Sequence, residues 1–160
     1  MKLFQKKKNN KGFSLVELIV VVAIMAVLLG VLVPTLVRHI ESSRLSKDKK
    51  NLDELRVAME VALADEKFAD IECSNVQIGT NASVDISGKT FDSTDEATNT
   101  AFIDEVKANF SNKSTVTLTS KLKKECTVKV TIKDGRVEIS VDAKENGDYD
   151  FSIPEEKKAE

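Results

Sequence analysis

The chain has 160 residues, of which 31% are charged and only 5% aromatic, with a formal net charge of −2. That length allows one compact domain beside an apolar stretch near its start, and the near-neutral balance gives no global argument for nucleic acid as a partner. The single histidine, with no Ser/His/Asp or Cys/His set, no phosphate-cradling Gly-rich loop and no metal-spaced cluster, leaves no support for an enzyme or a bound cofactor.

Residues 1–12 read as a basic leader. Five of the 24 basic side chains (Lys2, Lys6, Lys7, Lys8 and Lys11) stand there with no acid among them, so the rest of the chain is distinctly acidic. From Phe13 to Val37 the sequence is apolar except for Ser14, Glu17, Pro34 and Thr35. As a helix rising about 1.5 Å per residue, this segment crosses a hydrocarbon core of about 30 Å. The leader lysines keep the N-terminus cytoplasmic, which places the chain from Arg38 onward outside. No small-x-small pattern follows the apolar run, so ordinary signal peptidase has no evident target. The processable feature lies on the other side, at Lys11-Gly12-Phe13, where Gly12 offers an unhindered backbone.

Glu17 is the one acid in this apolar run. An ionised carboxylate near the end of a membrane span is costly unless it is paired or reaches the interface. Snorkelling to the headgroups is one solution. The other is a cation created by processing: cutting between Gly12 and Phe13 frees an ammonium at Phe13, and a neighbouring subunit's Glu17 neutralises it.

Lys11-Gly12-Phe13-Ser14-Leu15-Val16-Glu17-Leu18-Ile19 resembles the processing motif of type IV prepilins. The resemblance covers the leader and about the first quarter of the chain. It implies that a prepilin peptidase cuts after Gly12 and N-methylates Phe13, and that the new amine and Glu17 act in assembly. It implies as partners other copies of the chain and the pilus assembly machinery in the membrane, and leaves any host or abiotic surface unidentified. Pro34, preceded by Gly30, falls where such pilins carry a helix-breaking proline. Independently of the family, Pro34 removes the hydrogen bond to the Gly30 carbonyl and predicts a kink or local melting there.

Residues 38–68 predict an amphipathic helix. Leu45, Leu52, Leu55, Met59 and Leu63 recur at helical spacing, with Lys47, Asp48, Lys49, Lys50, Asp53, Glu54 and Glu60 between them as the wet face. With no Gly or Pro from Thr35 to Phe68, one helix from about Ser14 to Phe68 is expected. His39, beside Arg38, reads as a solvated interface residue. Residues 69–113 read as a variable connecting region. Val76/Ile78 and Val84/Ile86 suggest short strands there, and Ser93-Thr94-Asp95-Glu96 suggests a capping box before a short helix of about 97–110.

Residues 114–153 give the clearest β pattern. Val128, Val130 and Ile132 alternate with polar residues before the Asp134-Gly135 turn, and Val137, Ile139 and Val141 follow it. A two-residue turn predicts the pairs Ile132/Val137, Val130/Ile139 and Val128/Val141, all on one face. Val116 and Leu118 suggest a strand before the hairpin, and Tyr149, Phe151 and Ile153 one after it. Residues 154–160 form a charged tail. The predicted fold class is α+β and pilin-like: a long N-terminal helix whose amphipathic half packs on an antiparallel β-meander of three or four strands.

Two smaller questions stay open at this level. Cys73 and Cys126 either form a disulfide or remain separate thiols. Asp142, Asp148 and Asp150, with Glu145 and Asn146 between them, either supply oxygen ligands to calcium or simply solvate a turn. For the whole chain the readings are a structural pilin in an extracellular filament serving adhesion, surface motility or DNA uptake; a pseudopilin of a type II secretion or competence system; and a monomeric membrane-anchored binding module.

Overall fold

A computed structural model describes residues 13–91, 95–120, 126–143 and 151–154. The elements run α1 (Leu15–Leu63), β1 (Cys73–Thr80), β2 (Ser83–Asp85), α2 (Glu96–Asn109), β3 (Thr115–Thr117), β4 (Cys126–Lys133), β5 (Arg136–Ala143) and β6 (Phe151–Ile153). This is an α+β chain with a long apolar N-terminal helix and an antiparallel sheet. Its residues divide into two compact units, one up to Ile40 and one from Glu41 on.

The first unit is the apolar part of α1, and its side chains are exposed from Phe13 to Ile40. A helix so apolar on every side has no soluble face to present. α1 runs as one helix through Gly30 and Pro34, without melting there. The proline ring still denies the Gly30 carbonyl its helical partner. One turn on, Thr35 Oγ1 donates to the Val31 carbonyl at 3.4 Å.

In the second unit the rest of α1 buries Leu52, Leu55, Met59 and Leu63 as the spacing predicts, with Ala58 and Ala62 beside them. The helix ends at Leu63, five residues before Phe68. The chain then turns, with Phe68 N–H donating to the Asp65 carbonyl at 2.9 Å and Ile71 N–H to that of Phe68 at 3.1 Å. Phe68 itself is buried and meets Phe102 edge-on at 5.6 Å, and Phe91 meets the same ring at 5.8 Å. Such T-shaped pairs place the positive ring edge on the negative face of the next ring.

Among the described residues the sheet has six strands in the order β3-β2-β1-β4-β5-β6, more than the three or four expected and not in a simple meander. The β4–β5 hairpin has the predicted register throughout, including Ile132 opposite Val137, Val130 opposite Ile139 and Val128 opposite Val141. Asp134 and Gly135 both take positive φ, 50° and 70°, as a tight hairpin turn requires. The strand expected before the hairpin, β3, lies at the far edge of the sheet against β2. The strand beside β4 is β1, from the segment read as a variable connection. Its pairing with β4 is interrupted twice, between Cys73 and Val76 and between Gln77 and Gly79, and Asn75 takes positive φ. Those irregularities erase the period-2 pattern that would have marked it. Gly79 is required where it stands, since a Cβ there would lie 2.7 Å from the Ser83 carbonyl oxygen.

The short helix α2 begins on Asp95, whose carboxylate accepts from the Ala97 and Thr98 amides at 3.1 Å and from the Thr98 hydroxyl. Asp95 is therefore the N-cap rather than an interior member of the expected capping box, of which Ser93 and Thr94 lie outside the described residues. The Thr98 hydroxyl first, then the two amides, hold the Asp95 carboxyl below its ordinary range.

The register also decides the cysteine question. Cys73 lies opposite Ile132, while Cys126 begins β4 six residues earlier, about 20 Å away at about 3.3 Å per residue. A disulfide needs Cα atoms within about 7 Å, so the two thiols are free within the chain. Burial raises both thiol pKa values, with the Asp48 carboxylate adding to the rise at Cys126. Because the thiolate is the nucleophile, the native head is expected to alkylate slowly at neutral pH and to show two reactive thiols on unfolding, read by mass after iodoacetamide. A single reactive thiol or none after unfolding would contradict the assigned register.

Candidate functional site

The candidate site is the start of α1. Ser14 caps the helix: its carbonyl accepts from Leu18 N–H at 3.2 Å, and its own N–H donates to Glu17 Oε2 at 3.0 Å. Ser14-Leu15-Val16-Glu17 thus has the spacing of a capping box and makes the half in which the acid reaches back. The sequence reading treated Glu17 only as a partner for a cation and missed this role. The signal was present, since Ser-x-x-Glu before an apolar run is a helix-start pattern.

This arrangement holds the carboxylate at a fixed place. The helix N-terminus there presents free N–H groups and the positive end of the helix dipole to the carboxylate. A carboxylate offers about four lone-pair sites, so the Ser14 amide leaves capacity for a second donor. Phe13 lies immediately before the cap and is 85% exposed. Phe13, Ser14 and Glu17 are therefore brought together at one helical turn, surrounded by exposed Leu15, Val16 and Leu18.

Other residues singled out in the sequence lie elsewhere. Gly12 and the leader are outside the described residues. Gly30 and Pro34 stand inside α1, where a Cβ on Gly30 would meet nothing within 4 Å. His39 is exposed on α1. Of the calcium candidates, Asp148 and Asp150 are outside the described residues, as are Tyr149 and the tail from 155 on. Asp142 lies on β5, with its Oδ2 2.7 Å from Lys129 Nζ in a cross-strand ion pair. Among the described residues, no group of three or more His, Cys, Asp or Glu could hold a metal ion.

One buried acid was misplaced by the sequence reading. Asp48, assigned to the wet face of α1, is fully buried between Leu45 and Leu52. Its carboxylate accepts from the Thr119 amide at 3.0 Å, the Thr119 hydroxyl at 3.0 Å and the Ser120 amide at 2.8 Å. It fastens α1 to the segment after β3, and it bears no relation to the helix start.

The helix and the site together define an α+β protein with an apolar N-terminal span whose first turn carries a fixed carboxylate; α1 is long and apolar enough to cross a membrane. Residues 7–33 match the prokaryotic N-terminal methylation motif. The chain is 39% identical over 67 residues to the type IV major fimbrial protein FimA of Dichelobacter nodosus, covering 42% of this chain and 41% of that one. It is 37% identical over 84 residues to prepilin peptidase-dependent protein A of Clostridium perfringens (strain 13 / Type A), covering 51% and 59%. The chain thus spans about two fifths to three fifths of the curated relatives it matches, and no solved structure matches it. Over its N-terminal part, then, the chain is similar to a type IV fimbrial subunit and to a prepilin peptidase-dependent protein.

Proposed function

We propose that this chain is the structural subunit of a type IV pilus, not an enzyme, made as a membrane-anchored precursor and assembled with copies of itself into an extracellular filament. Prepilin peptidase cuts between Gly12 and Phe13 and methylates the new amine, with the leader cytoplasmic and the head outside. The pilus assembly machinery then draws subunits from the membrane. The filament serves attachment, movement over surfaces or DNA uptake.

The observation that carries this reading is the carboxylate fixed at the first turn of a fully exposed apolar helix. Apolar surface gains about 25 cal/mol per Å² when removed from water, but a bilayer satisfies it as well as a protein core does. Burial alone therefore selects no partner and no register. A pre-positioned Glu17 does, because a neighbour's Phe13 ammonium satisfies it at one offset and misdocked offsets leave two buried charges unpaired. Pro34 lies within α1 and supplies no N–H to the Gly30 carbonyl, which would leave a weak point where the filament core can yield under tension.

Shearing of cells tests the proposal: this chain is expected in the sheared fraction as long fibres. Its retention in the membrane, with only short assemblies or none, would favour a pseudopilin or a monomeric anchored module. Gly12→Leu is expected to leave the precursor unprocessed, seen as retention of the basic leader by mass, because the added side chain crowds the extended backbone that a peptidase must grip.

A further inference from the structure

We infer that a row of cations on α1, Arg44, Lys47 and Lys50, docks on the phosphate headgroups of an anionic bilayer while the chain is membrane-anchored, a contact that rests on the anchored precursor proposed above. From Arg38 to Lys50 the chain holds five cations, Arg38, Arg44, Lys47, Lys49 and Lys50, against two acids, Glu41 and Asp48. This stretch follows directly on the apolar run that ends at Val37.

Arg44, Lys47 and Lys50 stand at every third position, so they neighbour one another along the helix, and all three are exposed. The nearby acids of α1 do not cancel them. Asp48 is buried and accepts from Thr119 and Ser120. Asp53 lies 2.9 Å from Arg56 Nε, and Glu41 is already engaged. Glu54 comes within 3.9 Å of Lys50, whose side chain is still 76% exposed. Among the described residues, Arg44 and Lys47 have no acidic partner. Lys49 stands apart from the row, its Nζ 4.8 Å from the centre of the Phe151 ring.

The bilayer is the occupant because the apolar run brings it there. At about 1.5 Å per residue, Arg44 and Lys47 follow Val37 by about 10 and 15 Å of helix. Headgroups extend about 5–8 Å beyond the hydrocarbon core on each side, and the field of their charge persists for about 8 Å more at physiological salt. Helical side chains also lean toward the helix N-terminus, which here is the bilayer side. Arg44 therefore reaches phosphate oxygens and Lys47 lies within their field, with Lys50 at its outer limit. Each basic side chain near an anionic surface strengthens attachment about fivefold. Docking holds the head against the membrane, and a subunit leaves the bilayer only by giving up these contacts along with its apolar burial.

Two lysines of one chain supply the test. Lys47 belongs to the row, whereas Lys67 lies beyond the far end of α1 with its side chain 79% exposed. The full-length precursor is reconstituted into vesicles of phosphatidylcholine alone or of an equal mixture with phosphatidylglycerol, treated with a neutral acetylating ester and mapped by peptide mass. Lys47 is expected to acetylate about fivefold more slowly on the mixed vesicles, with Lys67 the same on both and high salt removing the difference. Arg44→Gln combined with Lys50→Gln changes exposed positions only, and is expected to keep the thermal midpoint of the head while losing most of the protection at Lys47. Equal rates at Lys47 on the two kinds of vesicle, equal slowing at Lys67, or full protection in the double variant would each overturn this inference and leave the anchored precursor standing. A chain that floats with neither kind of vesicle would overturn the anchored precursor along with it.

Discussion

Cells producing the Glu17→Ala subunit are expected to process it normally, since the cleavage site is untouched, but to yield few fibres or none. Removing one member of a buried ion pair leaves the other charge uncompensated, at about 3–5 kcal/mol. That is at least about a hundredfold at each docking step. The alanine also strips the Ser14 amide of its acceptor, so the first turn of α1 frays and the Phe13 amine loses its fixed place. Glu17→Gln separates the two effects: it retains an acceptor for Ser14 but carries no charge. Glu17→Gln is expected to resemble Glu17→Ala in fibre yield, read by electron microscopy of sheared material. Fibres from Glu17→Gln at the unaltered yield would assign Glu17 a capping role alone.

The second large effect is expected in the head. Asp48→Ala takes the acceptor from the half-buried Thr119 amide and the buried Ser120 amide, and an unsatisfied buried donor costs about 1–3 kcal/mol. A loss of about 3 kcal/mol or more is expected, a large share of the stability of a domain this size. It should appear as a lower urea midpoint with the slope unchanged. Asp48→Asn, which keeps an acceptor oxygen, should fall between. A midpoint for Asp48→Ala within error of the unaltered head would mean that the clamp adds nothing.

Asp48 also shows where the sequence ceases to be legible. Leu52, Leu55, Met59 and Leu63 were readable because apolar side chains at helical spacing have one destination, the core. Asp48 lies on the same face, but an acid there is interpretable only with its donors in view, and they come from a segment 71 residues away. The β4–β5 hairpin was readable to the residue because a local turn, Asp134-Gly135, sets its register. No local turn sets β1 beside β4 or β3 beside β2, so neither sheet order nor the separation of Cys73 from Cys126 could be read along the chain. The helix start was half legible: the placement of Glu17 in an apolar run announced a role, while its bond to Ser14 needed coordinates.

In the proposed filament, apolar spans would supply most of the buried area without specificity, and the Phe13/Glu17 pair would choose the offset. Loss of that pair should therefore lower fibre yield without changing processing.

The central claim is that a fresh amine at Phe13 meets a carboxylate already held in place by Ser14. Intact mass together with N-terminal sequencing of the mature chain tests it most directly. The account predicts a first residue of Phe13 with the added mass of one methyl group. A mature chain that begins anywhere else, or retains the lysine leader, would contradict it.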